Sequence, residues 1–384
     1  MSTTHGPSPI RWTFLAPSCP RPTGGDIARF ELVNALARLG TDHVRVVHLP
    51  HDEMTIRSHA DLPWFAFDEA VEHRFGAHLA PEEIPDGDVV VYSPKLIATA
   101  LAPSGGAPGR RLLEALQQPG AHRWLPITLL QGSGVFPAAI ENLALNLPGP
   151  KVCVGSWLAD LAVNHGVPAD HVVHIPNGLD HERFRILRPI AGRSPRATMN
   201  FDPFPAKRGE AGLMALERLH RSLGVPSTVF GTIPLARALD PGLEFVLAPD
   251  QAILAEKIYP GASMFLQPSW SEGFGMCAVE AMACGCALVT TDNGGSADYA
   301  IDGETAMICG GEPDDMAEVL SQLSGDDNLR RRIATNGSHF VDRFRWSDSA
   351  RRLRSVAAAG LADPLRYRRT TPIDPDRDYP PVLQ

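Results

Sequence analysis

Two glutamates and two glycines lie close together near residue 275, and residues of these types could hold a phosphorylated sugar. Glu272 comes directly before Gly273, and Gly275 opens a helix-like run that contains Glu280. A helix N-terminus offers N–H groups and the positive end of a dipole, and glycine lets the backbone approach a phosphate closely. A carboxylate makes charge-assisted hydrogen bonds to the vicinal hydroxyls of a ribose or hexose. The spacing therefore favours a site that binds a phosphate and a sugar side by side.

A dinucleotide fingerprint is a second interpretation of the same stretch. Gly273, Gly275 and Ala278 fit the pattern G-x-G-x-x-A, and Asp292 ends the next apolar run, where that fingerprint places a ribose ligand. This interpretation predicts an NAD(P)-dependent dehydrogenase. Against it, several residues separate the preceding apolar run from Gly273, and Glu272 would repel a pyrophosphate. The residues alone leave both interpretations open.

The elements that must position these residues alternate regularly along the chain. The apolar run over Arg11–Pro17 predicts a buried strand. The apolar residues of Asp26–Leu39 have helical spacing and predict a helix, and a second apolar strand follows it. The same alternation restarts near residue 197 and includes a helix near Ile253–Tyr259. Alternation of this kind predicts parallel sheets covered by helices, which is an α/β fold.

The chain has 384 residues, enough for two domains that each bury a core. Residues 178–196 contain turn residues, arginines and little periodicity, which is typical of a linker. We therefore expect an N-terminal domain over 1–177 and a C-terminal domain over 197–345. Residues 346–384 are expected to form a helix and a tail that return toward the N-terminal domain.

Composition narrows the class of protein. The net charge is −9, so a broad basic face for nucleic acid is not expected. No run approaches the ~18 apolar residues of a membrane span, and the first residues lack a signal-peptide pattern. Six cysteines are scattered, several of them in apolar runs, which is typical of a reducing compartment. We expect a cytoplasmic, bacterial protein; contact with a membrane surface and the oligomeric state are left open.

Metal binding is not expected from the candidate ligands. Asp86-Gly-Asp88 has the form of a D-x-D metal site but stands in a polar turn before an apolar strand. His165, His171 and His174 lack the spacing of a zinc site.

The run E-G-F-G-x-x-x-x-E-A-M-A-C-G resembles the E-x₇-E signature of family 4 of the retaining glycosyltransferases, which have the GT-B fold. PTGG and ELVNALARLG resemble the family's N-terminal phosphate loop and helix, and SWLADLAVNHGVPADHVVHIPNGLDHERF resembles the segment that enters the linker. The resemblance covers roughly residues 11–355. It implies two Rossmann-like domains facing across a cleft, with a nucleotide-diphosphate sugar on the C-terminal domain and the acceptor entering from the N-terminal one.

The resemblance also implies roles for individual residues. Glu280 would hold the ribose hydroxyls, and Glu272 would contact the donor sugar. Gly24 and Gly25 would close over the diphosphate. The backbone after Glu272 would contact the donor sugar and the distal phosphate, and the residues concerned are Gly273, Phe274, Gly275 and Met276.

Two positions depart from the family pattern. The family pairs an arginine and a lysine on the diphosphate in the spacing R-x₄-K; here Lys207 is present but Asp202 stands in place of the arginine. Lysine is rare in this chain, which has four lysines against 31 arginines, so Lys207 is expected to be functional and Arg208 is the candidate replacement. Gln131 stands where many relatives have a histidine that touches the donor sugar.

The implied reaction is transfer of a glycosyl group to an acceptor hydroxyl of a natural product or glycan precursor, with retention at the anomeric carbon. The nucleotide sugar is a co-substrate, and no cofactor or metal is expected. Lys207, Arg208 and helix N–H groups would oppose the charge on the departing diphosphate, with front-face attack. An epimerase of nucleotide sugars, the dehydrogenase and a non-catalytic nucleotide-sugar-binding protein remain as alternatives.

Overall fold

The computed structural model describes residues 8–17, 23–51, 55–117, 124–363 and 365–367. The predictions for the start of the chain, for Cys19 among the six cysteines and for most of the C-terminal tail lie outside the described residues. Two compact units are present: one comprises Met1–Val154, Leu158–Gly178 and Trp346–Gln384, and the other Gly155–Trp157 and Leu179–Arg345. We call them the N-terminal and C-terminal units.

The strands and helices of the described residues alternate as a parallel α/β fold requires. The strands are β1 (Arg11–Pro17), β2 (His43–Leu49), β3 (Val71–Arg74), β4 (Val89–Tyr92), β5 (Leu125–Leu130), β6 (Lys151–Cys153), β7 (Val172–His174), β8 (Ala197–Asn200), β9 (Ser227–Gly231), β10 (Leu243–Leu247), β11 (Met264–Gln267), β12 (Ala287–Thr291) and β13 (Ala306–Cys309). The helices are α1 (Gly24–Ala37), α2 (Pro94–Leu101), α3 (Gly106–Leu116), α4 (Ala138–Asn146), α5 (Ser156–Asn164), α6 (Gly209–Leu223), α7 (Gln251–Ile253), α8 (Tyr259–Gly261), α9 (Met276–Ala283), α10 (Pro313–Gly325), α11 (Asp327–Val341) and α12 (Trp346–Ala362).

The N-terminal unit is built on a seven-stranded parallel sheet in the order β3-β2-β1-β4-β5-β6-β7. Strand β1 occupies the predicted residues, and its interior side chains are fully buried. Helix α1 begins at Gly24, two residues before the predicted start. The reason is Thr23, whose side chain accepts a hydrogen bond from the Asp26 N–H and so caps the helix.

The C-terminal unit is built on a six-stranded parallel sheet in the order β10-β9-β8-β11-β12-β13. The strand order reverses direction between β8 and β11, and ligands of open α/β sheets bind outside the carboxyl ends of the strands at such a switch point. The loop after β8 carries Lys207, and the loop after β11 carries Glu272. The topology therefore brings both predicted residues to one edge of the sheet.

Helix α9 is the crossover between the neighbouring strands β11 and β12, and it is almost completely buried. Its small side chains Ala278 and Ala281 are fully buried, as is Met282. The helix predicted near Ile253–Tyr259 is instead short α-helical turns, α7 and α8, around a π-helical turn at Leu254–Ile258.

Candidate functional site

Glu272 is the centre of a hydrogen-bonded cluster at the carboxyl end of β11. Its Oε1 accepts hydrogen bonds from Gln267 Nε2 at 2.6 Å and from Ser269 Oγ at 2.7 Å, and its Oε2 accepts one from Lys207 Nζ at 2.6 Å. The Glu272 side chain is 9% exposed and the Lys207 side chain 33%. A buried carboxylate is stable only when it is paired and hydrogen-bonded, and these three donors meet that need.

Lys207 reaches this carboxylate because the loops after β8 and β11 are joined. The Trp270 N–H donates to the Ala206 carbonyl at 2.8 Å. Asp202, which stands where the family has an arginine, accepts a hydrogen bond from the Phe204 N–H at 2.8 Å and so stabilises the turn before Lys207. Asp202 therefore has a local structural contact in the loop that presents the lysine.

The glycine loop after Glu272 leads directly into α9. Gly275 precedes the first residue of the helix and has a φ of +96°, which is a left-handed conformation that favours glycine. Phe274 is buried and fixes the loop through edge-on contacts with Tyr299 and Phe344. The carbonyl of Gly273 accepts a hydrogen bond from Trp157 Nε1 at 3.2 Å. The first N–H groups of α9, beginning with Met276, lack partners within the helix, so the loop offers them to an anion.

Glu280 lies in α9 and is 5% exposed. Tyr259 Oη donates to Glu280 Oε2 at 3.1 Å. Burial, together with nearby Cys277 and Glu280, raises the pKa of Tyr259 well above its ordinary value of 10, so the hydroxyl stays protonated and remains a donor. Glu280 therefore does not lie on a solvated face of the helix.

Arg208 is beside Lys207 but has a different set of contacts. Its guanidinium lies 4.3 Å from the centre of the Trp270 ring, donates to the Gly311 carbonyl and pairs with Glu312 at 3.3 Å. The backbone of Arg208 is left-handed, with a φ of +52°. These contacts occupy Arg208, so its role as a replacement for the family arginine stays a prediction that requires it to leave them.

Gly24, Gly25 and Gln131 come together in the N-terminal unit. Gln131 Nε2 donates to the Gly25 carbonyl at 2.7 Å, across 106 residues of sequence. Behind them, Asp26 and Arg29 form a buried ion pair in the first turn of α1, and Lys95 Nζ lies 3.6 Å from Asp26. The neutral amide of Gln131 thus positions the glycine pair at the start of this helix.

The weaker candidates from the sequence have other surroundings. Asp88 is paired with Arg11 at 2.7 Å, which holds the pKa of the carboxyl below its ordinary value. Among the described residues, no cluster of three or more histidine, cysteine or acidic side chains could hold a metal ion. No helix in the described part of the chain is long and apolar enough to cross a bilayer. Asp292, the ribose ligand of the dehydrogenase interpretation, is exposed just after β12.

Sequence reasoning missed several residues that complete the site. Gln267 and Ser269 lie at the end of the apolar run that precedes Glu272. Polar side chains so close to Glu272 could have indicated hydrogen-bond partners for its carboxylate. Tyr259 and Trp157 gave no signal, because they come from distant segments and reach the site only in the folded unit.

Comparisons with known proteins indicate which family and which fold this chain resembles. The family model of Glycosyl transferases group 1 matches residues 250–340. A D-inositol 3-phosphate glycosyltransferase of Streptomyces bingchenggensis is 33% identical over 111 residues, which are 29% of this chain and 24% of that protein. D-inositol 3-phosphate glycosyltransferase 2 of Catenulispora acidiphila is 32% identical over 167 residues, covering 43% of this chain and 36% of the relative. The chain thus matches about a quarter to a third of these relatives' length.

Solved structures match over most of the chain. Sucrose-phosphate synthase from Thermosynechococcus elongatus has a TM-score of 0.68 at 16% identity, covering 92% of this chain and 99% of that structure. Anabaena Alr3699/HepE in complex with UDP and glucose has a TM-score of 0.67 at 15% identity, covering 91% of this chain and all of that one. Together with the two parallel sheets, these matches confirm the predicted GT-B fold. The family model and the curated relatives confirm the resemblance to group 1 glycosyltransferases.

Proposed function

We propose that this chain, which carries a glycosyl transferases group 1 domain within a GT-B fold, is a retaining glycosyltransferase. It would move a sugar from a nucleotide-diphosphate donor to an acceptor hydroxyl. The observation that carries the proposal is the meeting of Lys207, Glu272 and the N-terminus of α9 at the switch point of the C-terminal sheet. Lys207 and the N-terminus of α9 can together bind a diphosphate, and the neighbouring Glu272 can accept hydrogen bonds from a sugar.

Charge development explains the roles that we assign around the phosphate. When the glycosidic bond to the diphosphate breaks, negative charge grows on the phosphate oxygens. Lys207 and the N–H groups at the start of α9 would stabilise that charge. The proposed attack comes from the same face as the departing phosphate, which takes the proton of the acceptor hydroxyl. No covalent sugar–enzyme bond is required, and no metal enters the scheme.

Two glutamates would divide the recognition of the donor. Glu272 keeps its carboxylate fixed by three donors, so a sugar hydroxyl would meet a preorganised acceptor rather than a mobile side chain. Glu280 would accept hydrogen bonds from the ribose hydroxyls while Tyr259 holds one of its oxygens. Gly24, Gly25 and Gln131 remain the proposed donor contacts of the N-terminal unit, and the acceptor is assigned to that unit by the resemblance.

The comparisons supply the donors and acceptors to test. One similar structure holds UDP and glucose, and the similar curated proteins are named for D-inositol 3-phosphate. UDP-glucose and an inositol phosphate are therefore the first donor and acceptor that we would try with this chain. The chain's own donor and acceptor follow from the assay, not from these names.

A thermal-shift panel of UDP-, GDP-, dTDP- and ADP-sugars with NAD and NADP tests the proposal. A ligand at 100 times its dissociation constant adds roughly 2.7 kcal/mol of stability, which is easily measured. One nucleotide sugar should stabilise the wild type and stabilise Glu280→Ala much less. Glu318→Ala, which removes an exposed glutamate of α10, should respond like the wild type. Stabilisation by NAD or NADP alone would instead make the protein a dehydrogenase with Asp292 on the ribose.

A further inference from the structure

Tyr299 is a buried residue whose hydroxyl has no role in the site described above. The side chain is 0% exposed, and its Oη has no hydrogen-bond partner within the described part of the chain. Burying a hydroxyl without a partner costs free energy, so a tyrosine at this position needs an explanation that a phenylalanine would not.

The hydroxyl is directed at the start of α9. A Cβ placed on Gly275 would overlap Tyr299 Oη, so the hydroxyl lies against the backbone at the residue that precedes the helix. That residue has no side chain and a left-handed φ of +96°. The unpartnered hydroxyl therefore lies beside the residue from which α9 begins.

Neighbouring contacts hold the tyrosine in this orientation. Its ring packs edge-on against Phe274 with 5.7 Å between the ring centres. Its N–H donates to the Ser296 carbonyl at 3.1 Å, and its carbonyl accepts from Thr305 Oγ1 at 2.7 Å. Rotation of the side chain towards another hydrogen-bond acceptor would therefore disrupt the packing of Phe274 in the glycine loop.

Glu272 does not accept a hydrogen bond from this hydroxyl, because Tyr299 Oη has no partner among the described residues. Burial, with added repulsion from Glu272 and Asp298, raises the pKa of Tyr299 well above its ordinary value. The hydroxyl therefore stays protonated near neutral pH and can donate a hydrogen bond, and a donor at a helix N-terminus suits an anion.

We propose that Tyr299 is a further ligand of the donor's diphosphate, donating its hydroxyl hydrogen bond to an oxygen of the phosphate bound at the N-terminus of α9. This inference rests on the proposed function. Because the hydroxyl is fully buried, the proposal requires the Gly273–Gly275 loop to shift when the donor binds. The phosphate concerned is the one distal to the nucleoside, because the loop before α9 is the one assigned to the distal phosphate.

Titration calorimetry on Tyr299→Phe tests this contact. The probes are the nucleoside diphosphate that binds the wild type best (UDP, ADP, GDP or dTDP) and its monophosphate, which lacks the distal phosphate. A hydrogen bond to a charged group predicts about tenfold weaker binding of the diphosphate, with monophosphate affinity unchanged within about twofold. The unliganded variant should be at least as thermostable as the wild type, because an unpartnered buried hydroxyl is gone.

Tyr92→Phe is the matched control. Tyr92 is also fully buried, but it lies in the N-terminal unit and its hydroxyl already accepts a hydrogen bond from Thr128 at 3.1 Å. This variant should lose stability and keep both affinities.

Each remaining outcome has a definite meaning. Unchanged diphosphate affinity in Tyr299→Phe would overturn the inference, and so would an equal loss for diphosphate and monophosphate, which would indicate a merely structural tyrosine. A wild type that binds no nucleoside diphosphate would overturn the proposed function, and the inference with it.

Discussion

The pair formed by Lys207 and Glu272 gives the sharpest prediction about the site. Three donors converge on a carboxylate with two acceptor oxygens. In Glu272→Gln the amide has one acceptor oxygen, so either the lysine or the pair of Gln267 and Ser269 must face its NH₂ group. An unsatisfied buried donor costs about 1–3 kcal/mol, and we expect the variant to lose about 3 kcal/mol of unfolding free energy.

Lys207→Met should cost about 2 kcal/mol, because the carboxylate loses one charged hydrogen bond and the lysine is one-third exposed. In the double variant the amide can turn its oxygen to Gln267 and Ser269 and its NH₂ group to the place of the ammonium. The double variant should then be about as stable as Lys207→Met alone. The two changes would couple by about 3 kcal/mol, within the range for residues in direct contact.

Native-state hydrogen exchange, measured on peptides from β11 and β12, reports the unfolding free energy of the C-terminal unit. The control cycle uses Arg218 of α6 and Asp314 of α10, an ion pair of similar length in the same unit whose side chains are 36% and 83% exposed. Its coupling should stay below about 0.5 kcal/mol. Additive costs for Lys207 and Glu272 would refute the convergence of donors on this carboxylate.

Three further results are expected. A Cβ at Gly275 would overlap Tyr299 Oη but lie 3.4 Å from Tyr299 Cζ. Gly275→Ala should therefore cost about 1 kcal/mol less unfolding free energy in a Tyr299→Phe background than in the wild type, as measured by urea unfolding. Equal costs in the two backgrounds would contradict the contact. Burial lowers the pKa of His48 to about 3 and of His73 to about 4, from an ordinary 6.5. As the pH falls, the two histidines are protonated in the unfolded chain before they are protonated in the folded protein, so the unfolding free energy of the N-terminal unit should decrease from pH 6.5 towards pH 4. This decrease should be less steep in His73→Phe. The same pH dependence of stability in the wild type and in His73→Phe would argue against burial of the His73 ring. Burial raises the pKa of the Cys286 thiol to about 12. Alkylation at pH 8, read out by peptide mass spectrometry, should therefore label this thiol only after the protein unfolds. Rapid labelling of Cys286 in the folded protein would contradict its burial.

The parts of the fold that depend on local pattern could be read from the sequence. Strand β1 has its predicted bounds, because buried parallel strands appear as continuous apolar runs between turn residues. The start of α1 could not be placed, because glycine is a poor helix former and the capping role of Thr23 is visible only in the hydrogen bond that it accepts. The π-helical turn at Leu254–Ile258 carries no periodic signal that separates it from an α-helix.

Within the candidate site, residue types were more predictable than partners. Glu272 and Lys207 were singled out separately, and the switch point of the sheet explains why they meet. The contact of Tyr259 with Glu280 depends on how separate segments pack, and no pattern in either segment encodes it. The same is true of Arg208, whose contact with the Gly311 carbonyl joins residues 103 positions apart.

The most direct test of the central claim is turnover with stereochemistry. The donor chosen by the stabilisation panel is incubated with acceptors that begin with an inositol phosphate, and proton NMR follows donor consumption and the anomeric configuration of the product. The proposed function predicts nucleoside diphosphate released only in the presence of acceptor, a product with the donor's anomeric configuration, and little turnover in Lys207→Met. A protein that binds the donor and never consumes it with any acceptor, or a product of inverted configuration, would contradict a retaining glycosyltransferase.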